Sequence, residues 1–194
     1  MNMKIIAHRK NTIAALRATP TGYGIEIDIR SRGRRLILQH EPFADGEDFP
    51  AWLRHYRHGT LILNVKEDGI EDRVKKLVDS AGVRDYFFLD LSFPALVRMA
   101  RSGEKRAAAR FSEYESLETV LSLKGKAAWV WVDCFSRSPL DRLSFARLSS
   151  HFKICVVSPE IQGHGAREVR AYRRRLKPFS IDAVCTKRPG LWRD

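Results

Sequence analysis

Eight short β-branched runs alternate with polar, helix-compatible stretches along the chain, a pattern that predicts an α/β protein. Two further observations narrow this to a compact (β/α)8 TIM-type barrel with shortened helices and loops. The turn after the first run reads AHRKNT, with no glycine, where an open doubly wound sheet normally carries a glycine-rich phosphate turn. Most runs also end in charged or polar side chains, as the C-terminal rim of a parallel barrel does when it holds an active site. At about 24 residues per unit the chain is shorter than the roughly 250 residues typical of this fold, so its helices and loops must be trimmed.

The elements follow in order. Lys4–His8 (KIIAH) opens the barrel, and Asn11–Ala18 supplies the first helical stretch. Gly24–Ile29 (GIEIDI) is followed by an extra extended piece, Arg35–His40 (RLILQH), and by a helix around Pro50–Arg57. The remaining runs are Leu61–Lys66, Tyr86–Asp90, Ala107–Phe111, Ala128–Asp133, Lys153–Val157 and Ile181–Thr186. Between them Ile70–Ser80, Pro94–Ser102, Tyr114–Leu123, Leu140–Ser149 and Ala166–Leu176 carry apolar residues at helical spacing. No low-complexity tract or long linker interrupts the pattern, so residues 1–194 are read as one barrel domain.

Composition bounds the function classes. The chain has 194 residues, a formal net charge of +12 and 44% hydrophobic residues, which excludes a disordered chain. No apolar run approaches the roughly 20 residues of a membrane helix, and charge returns too early, at His8-Arg9-Lys10, for a secretory signal. A soluble cytoplasmic protein is expected. Cys134, Cys155 and Cys185 lack metal-site spacing, are odd in number and lie in apolar segments, which reads as buried thiols rather than a disulfide framework. The densest basic run, Arg167–Lys177, fits an exposed helix face, with a polyanion-binding surface as the alternative. No zinc-finger or RRM signature appears, so no specific nucleic-acid partner is expected.

The strand ends carry the candidate chemistry. Residues two apart on a strand share a face, so Ile25, Ile27 and Ile29 pointing outward leave Glu26 and Asp28 inside the barrel. Two buried carboxylates are costly without a cation between them, and hard oxygen donors suit Mg²⁺ or Ca²⁺. Asn64 and Lys66 repeat the spacing: the amide oxygen of Asn64 could complete a metal shell and the Lys66 ammonium could hold a phosphate oxygen. With His8 and His40, also at strand ends, these residues are the set that metal-assisted phosphodiester cleavage needs. Glu113, Asp133 and Glu160 are further candidates for a substrate pocket; like Asp90, they could equally be helix caps.

The segments IIAHRKNT, GIEIDIR, LILQHEP, LILNVKEDG and IDAVCTKRPGLW together resemble the glycerophosphodiester phosphodiesterase family, within the phospholipase-C-like phosphodiesterase barrels. The resemblance covers both ends and the first third of the chain. It implies that His8 and His40 are the acid/base pair, that Glu26 and Asp28 bind a divalent metal, and that Arg9 and Lys66 contact the phosphate. Asn11 lies where the family's Asn-Thr pair follows the first strand, which places it at the substrate pocket. Several positions depart from the family pattern. Lys10 replaces the glycine after His-Arg, and Asn64 stands where a third metal carboxylate is usual. The headgroup-contacting insertion after the second histidine is nearly absent, which leaves sugar- or nucleotide-linked phosphodiesters as open as glycerophosphodiesters. The expected function is therefore metal-dependent hydrolysis of a small phosphodiester. The alternatives are a catalytically degenerate phosphodiester- or phosphate-binding barrel, and a basic-surface polyanion binder.

Overall fold

The structure is a computed structural model that describes residues 3–193. Eight parallel strands form the barrel: β1 (Lys4–Ala7), β2 (Gly24–Arg32), β5 (Leu61–Val65), β6 (Tyr86–Leu89), β7 (Ala108–Phe111), β8 (Trp129–Val132), β9 (Lys153–Val157) and β10 (Ala183–Thr186). Neighbours pair in the order β6-β5-β2-β1-β10-β9-β8-β7. The ring closes between β6 and β7 through one parallel bridge, Phe88 to Ala107, and a 2.8 Å hydrogen bond from the Phe88 N–H to the Arg106 carbonyl. The extra segment predicted after β2 is a real strand, β3 (Arg35–Leu38). It returns antiparallel along β2, whose register runs from Ile29 opposite Leu38 to Arg32 opposite Arg35, and is followed by the two-residue β4 (Glu47–Asp48).

The outer layer is thin, as the chain length requires. Helices α1 (Ile13–Arg17), α2 (Phe49–Leu53) and α5 (Leu117–Leu121) have five residues each. The longer ones are α3 (Glu71–Ser80), α4 (Phe93–Arg101), α6 (Arg142–Ser149) and α7 (Ala166–Leu176). Local signals start five of these seven: Thr12, Asp48, Ser92, Ser116 and Asp141 each accept a first-turn N–H, and Asp141 with Ser144 forms a reciprocal capping box. In α7, Val169, Tyr172 and Leu176 are buried, while Arg167, Arg170, Arg174 and Arg175 face solvent. The basic run is thus the solvated side of one amphipathic helix, and Arg173 is tied to the carbonyls of Leu191 and Arg193.

Period-two alternation sorts the strand residues as expected. Ile25, Ile27, Ile29, Leu63 and Val65 pack outward under the helices. Inside lie Ile6, Ile62, Phe87, Leu89, Trp129, Trp131, Cys155 and Cys185, with small residues such as Ala108 and Ala183. The Phe87 and Trp129 rings stack with centroids 4.6 Å apart, filling a barrel too small to leave a pore. All three cysteines are free and buried; burial pushes the Cys134 thiol up to about 11 and the other two higher still. Such thiols are inert packing groups.

The tightest constraint is at Gly24, where β2 passes β1 and the 59–60 turn. A Cβ there would sit 2.6 Å from the Thr60 carbonyl oxygen and 2.9 Å from the Ile6 Cγ1 atom. Because the obstacle is backbone, Gly24→Ala is expected to destabilise the barrel by about 1–3 kcal/mol in chemical denaturation. An unchanged midpoint and slope would show that the strand can shift at no cost.

Candidate functional site

The inward side chains at the C-terminal ends of β1, β2 and β5 converge. Glu26 is fully buried and Asp28 is 1% exposed. Glu26 Oε2 accepts the Arg9 N–H at 2.6 Å and Oε1 accepts Asn64 Nδ2 at 2.9 Å, while His8 Nε2 lies 3.7 Å from Oε2. Asp28 is gripped by Asn11 twice: its Oδ2 accepts Asn11 Nδ2 at 2.8 Å, and its N–H donates to Asn11 Oδ1 at 2.9 Å. Arg9 Nε approaches Asp28 Oδ2 at 3.3 Å, and Lys66 Nζ stands 3.5 Å from Oδ1. The six residues that the sequence placed at the metal, phosphate and first-histidine positions form one cluster, together with the pocket candidate Asn11.

His40 lies in the loop after β3, outside this hydrogen-bonded cluster. Its Nδ1 is 2.6 Å from Glu41 Oε1, and its carbonyl accepts two Arg30 N–H groups, which pin the loop to β2. His40 is near enough to His8 to act on it electrostatically. Burial, followed by Arg9, Lys187, Lys66 and His40, lowers the His8 imidazole to about 3, so its ring is neutral at ordinary pH. Burial and the neighbouring Asp28 raise the Glu26 carboxyl. Arg9 itself has φ 52°, a left-handed conformation costly for a non-glycine residue and held by the Glu26 contact.

A second network continues round the mouth from Lys66. Its Nζ donates to Asp90 Oδ2 at 2.9 Å, and Asp90 Oδ1 accepts Arg110 Nη1 at 2.7 Å. Arg110 also reaches Asp133 at 2.7 Å and Glu115 at 3.1 Å. Gln162 and Trp131 donate to Asp133 in turn. Burial alone would raise Asp90, but Lys66 and Arg110 outweigh it and hold the carboxyl low. Arg110 is the functional-face residue that strand-end inspection missed. It lies one residue inside β7, and alternation from inward Ala108 identifies it.

The remaining pocket candidates are committed elsewhere. Glu113 accepts the N–H groups of Phe135, Ser136 and Arg137, which overcome its burial and hold its carboxyl at about 2. It therefore fastens the loop after β8. Glu160 is buried and accepts from Ser158, Thr186 and the Lys187 N–H; Ser158 in turn accepts Trp192 Nε1 at 2.8 Å. It locks β9 to β10 beneath the rim. None of Asp90, Glu113, Asp133 and Glu160 caps a helix; serine, threonine and other aspartates do that.

Asp28 Oδ1 and Asn64 Oδ1 are buried without a hydrogen-bond partner, beside the Glu26 carboxylate. Two carboxylates and one amide oxygen are hard donors of the kind a divalent cation takes. Among the described residues no cluster of three or more His, Cys, Asp or Glu side chains is arranged around a metal position. The set fits a cation with one negative charge fewer than a three-carboxylate site, and Lys66 stands near Asp28 on the same side.

No family model matches the chain, and no curated protein matches it. Solved structures do. A glycerophosphodiester phosphodiesterase of Agrobacterium tumefaciens is 19% identical, with 98% of this chain and 99% of that one covered at a TM-score of 0.70. A glycerophosphoryl diester phosphodiesterase of Parabacteroides distasonis is 12% identical, with coverage of 99% and 85% and a TM-score of 0.68. The tryptophan synthase α subunit of Campylobacter jejuni is 15% identical, with coverage of 95% and 86% and a TM-score of 0.60. This chain shares their barrel fold. The match spans both phosphodiesterases and an unrelated barrel enzyme, so chemistry must be argued from the site.

The His8 environment has a measurable consequence. Its folded value lies below the unfolded 6.5, so between pH 6.5 and about 3 the unfolded chain binds a proton that the folded chain refuses. Stability from this group is complete above 6.5 and is lost as pH falls through that window. The raised Glu26 carboxyl has the opposite sign, since its contribution is present at low pH and lost as pH rises. Urea denaturation at a series of pH values is expected to show a steeper acid loss in the wild type than in His8→Gln. Parallel profiles would contradict a buried neutral His8.

Proposed function

We propose that this barrel hydrolyses a small phosphodiester with the help of a divalent cation. The observation that carries the reading is the convergence of Glu26 and Asp28 with His8, Arg9 and Lys66 at one barrel mouth. The fold shared with glycerophosphodiester phosphodiesterases supports it.

The substrate phosphate lies between the Arg9 guanidinium and the Lys66 ammonium, which Asp90 holds at 2.9 Å. Arg9 is placed by its own backbone bond to Glu26, so phosphate recognition and the buried carboxylate are mechanically linked. A cation held by Glu26, Asp28 and the Asn64 amide oxygen would polarise a phosphoryl oxygen and stabilise the charge that grows on it. His8 starts neutral, as a proton acceptor must. Burial is the main cause of the low His8 value, and the negative phosphate offsets the Arg9, Lys187 and Lys66 charges that add to it. His8 then takes the proton of the attacking water. His40, oriented by Glu41, donates to the leaving alkoxide.

A second reading has its own support. Arg9 and Lys66 already neutralise Asp28, and Asn64 contributes a neutral amide rather than a third carboxylate, so the site also suits a phosphate-binding barrel without turnover. Hydrolysis of bis(p-nitrophenyl) phosphate and of a glycerophosphodiester panel, with Mg²⁺, Ca²⁺ or Mn²⁺ added, separates the two. The hydrolase reading expects His8→Ala and His40→Ala each to lower kcat/KM by about 10²-fold or more. Phosphodiester binding without turnover under every metal would favour the binding barrel, and wild-type rates in both variants would overturn the site.

A further inference from the structure

The exposed apolar side chains are distributed unevenly over the molecule. Among the described residues the large exposed hydrophobics are Phe43, Phe93, Tyr114, Phe135 and Leu143, from 37% exposed at Phe135 to 94% at Phe43. All five lie on the side of the barrel where the strands end and the candidate site opens. Phe43 follows β3 in the loop that carries His40, Phe93 begins α4 after β6, and Tyr114 follows β7. Phe135 and Leu143 follow β8, the latter in the first turn of α6. The connections on the opposite face, which lead from helices into strands, contribute none of them.

Two details mark these residues as built outward. Phe43 has φ 63°, a genuine outlier for a bulky side chain, and its carbonyl is held by Arg32 at 3.1 Å while its ring stands in solvent. Tyr114 and Phe135 pair at 5.9 Å on adjacent loops, and the Glu113 carboxylate grips the backbone beneath Phe135. Exposed cations share the face, Arg34 at the β2–β3 turn, Arg137 and Arg142 after β8, and Lys187 and Arg188 after β10, together with exposed carboxylates of which Glu41 and Asp45 are paired with His40 and Arg35. The apolar residues thus follow β3, β6, β7 and β8, while Lys187, Arg188 and Arg9 follow β10 and β1 across the mouth.

We propose that this face docks on an anionic lipid surface, with the aromatic side chains seated at the headgroup level and the arginines and lysines against lipid phosphates. Single apolar side chains on separate loops, set among cations, suit a fluid interface that needs no shape complementarity. A protein partner would instead ask for a contiguous, well-packed apolar core. The net charge of +12 gives the matching long-range attraction. Resting on the hydrolytic reading above, docking would bring a membrane-held, amphiphilic phosphodiester directly to the Arg9–Lys66 position.

The test is co-sedimentation of the full chain with vesicles of phosphatidylcholine, alone or with about one-quarter phosphatidylglycerol. Binding to the anionic vesicles is expected, weakened but not abolished at about 0.5 M NaCl. The triple variant Phe43→Ser, Tyr114→Ser, Phe135→Ser is expected to bind at least about tenfold more weakly. Its circular dichroism and its turnover of soluble phosphodiester should match the wild type. A control triple variant on α7 (Arg170→Ser, Arg174→Ser, Arg175→Ser) should keep most of the binding. No vesicle binding overturns the proposal, as does binding that the α7 variant loses and the aromatic variant keeps. Self-association abolished by the aromatic variant, without lipid binding, would assign the face to a second copy of the chain. Vesicle binding needs no substrate, so its failure is distinct from a failure of the hydrolytic reading.

Discussion

Two carboxylates stand at alternate inward positions of one strand inside a closed parallel barrel, and much of the mouth is organised around them. Burying even one ionised carboxylate costs several kcal/mol unless donors or cations replace its water. Glu26 and Asp28 recruit such partners from two neighbouring segments: the Arg9 N–H and the Asn11 amide from the turn after β1, and Asn64 and Lys66 from the end of β5 and the residue after it. The left-handed backbone at Arg9 and the direction of the Lys66 side chain both serve this demand. Asp28 Oδ1, Asn64 Oδ1 and the nearby His8 Nδ1 are left buried without a hydrogen-bond partner, the two oxygens beside the candidate cation position.

Charge then propagates round the mouth in alternating sign, from Asp28 through Lys66, Asp90 and Arg110 to Asp133. Removal of any inner member leaves an uncompensated charge on a partly buried neighbour, so the network resists change more than its individual contacts suggest. Below it, the aromatic stack of Phe87 and Trp129 and the small residues Gly24, Ala108 and Ala183 set the bore of the barrel. Glu113 and Glu160 spend their charge on loop and strand anchoring instead.

Much of this was legible in the sequence because a strand's period of two is rigid. The alternation of GIEIDI placed three isoleucines outward and two carboxylates inward, and the structure has them so. The same rule applied to AAARF identifies Arg110, but attention to the last residue of each run passes over it. Strand-end carboxylates were harder to read. Glu113 and Asp133 look alike in sequence, yet one holds backbone amides and the other a guanidinium, because the loop conformations that decide this depend on contacts remote in sequence. Closure of the ring through a single bridge at Phe88 was equally invisible, since barrel closure belongs to the whole sheet.

Cation-assisted hydrolysis at this mouth requires that the inward oxygen donors hold a cation. Calorimetric titration of metal-stripped protein with Mg²⁺, Ca²⁺ and Mn²⁺ addresses this without any substrate. One binding event is expected, tightened by about tenfold or more in Asn64→Asp, which restores a third carboxylate, and lost in the double variant Glu26→Gln, Asp28→Asn. Heat of binding that survives the double variant, or no binding by any metal even in Asn64→Asp, would contradict it.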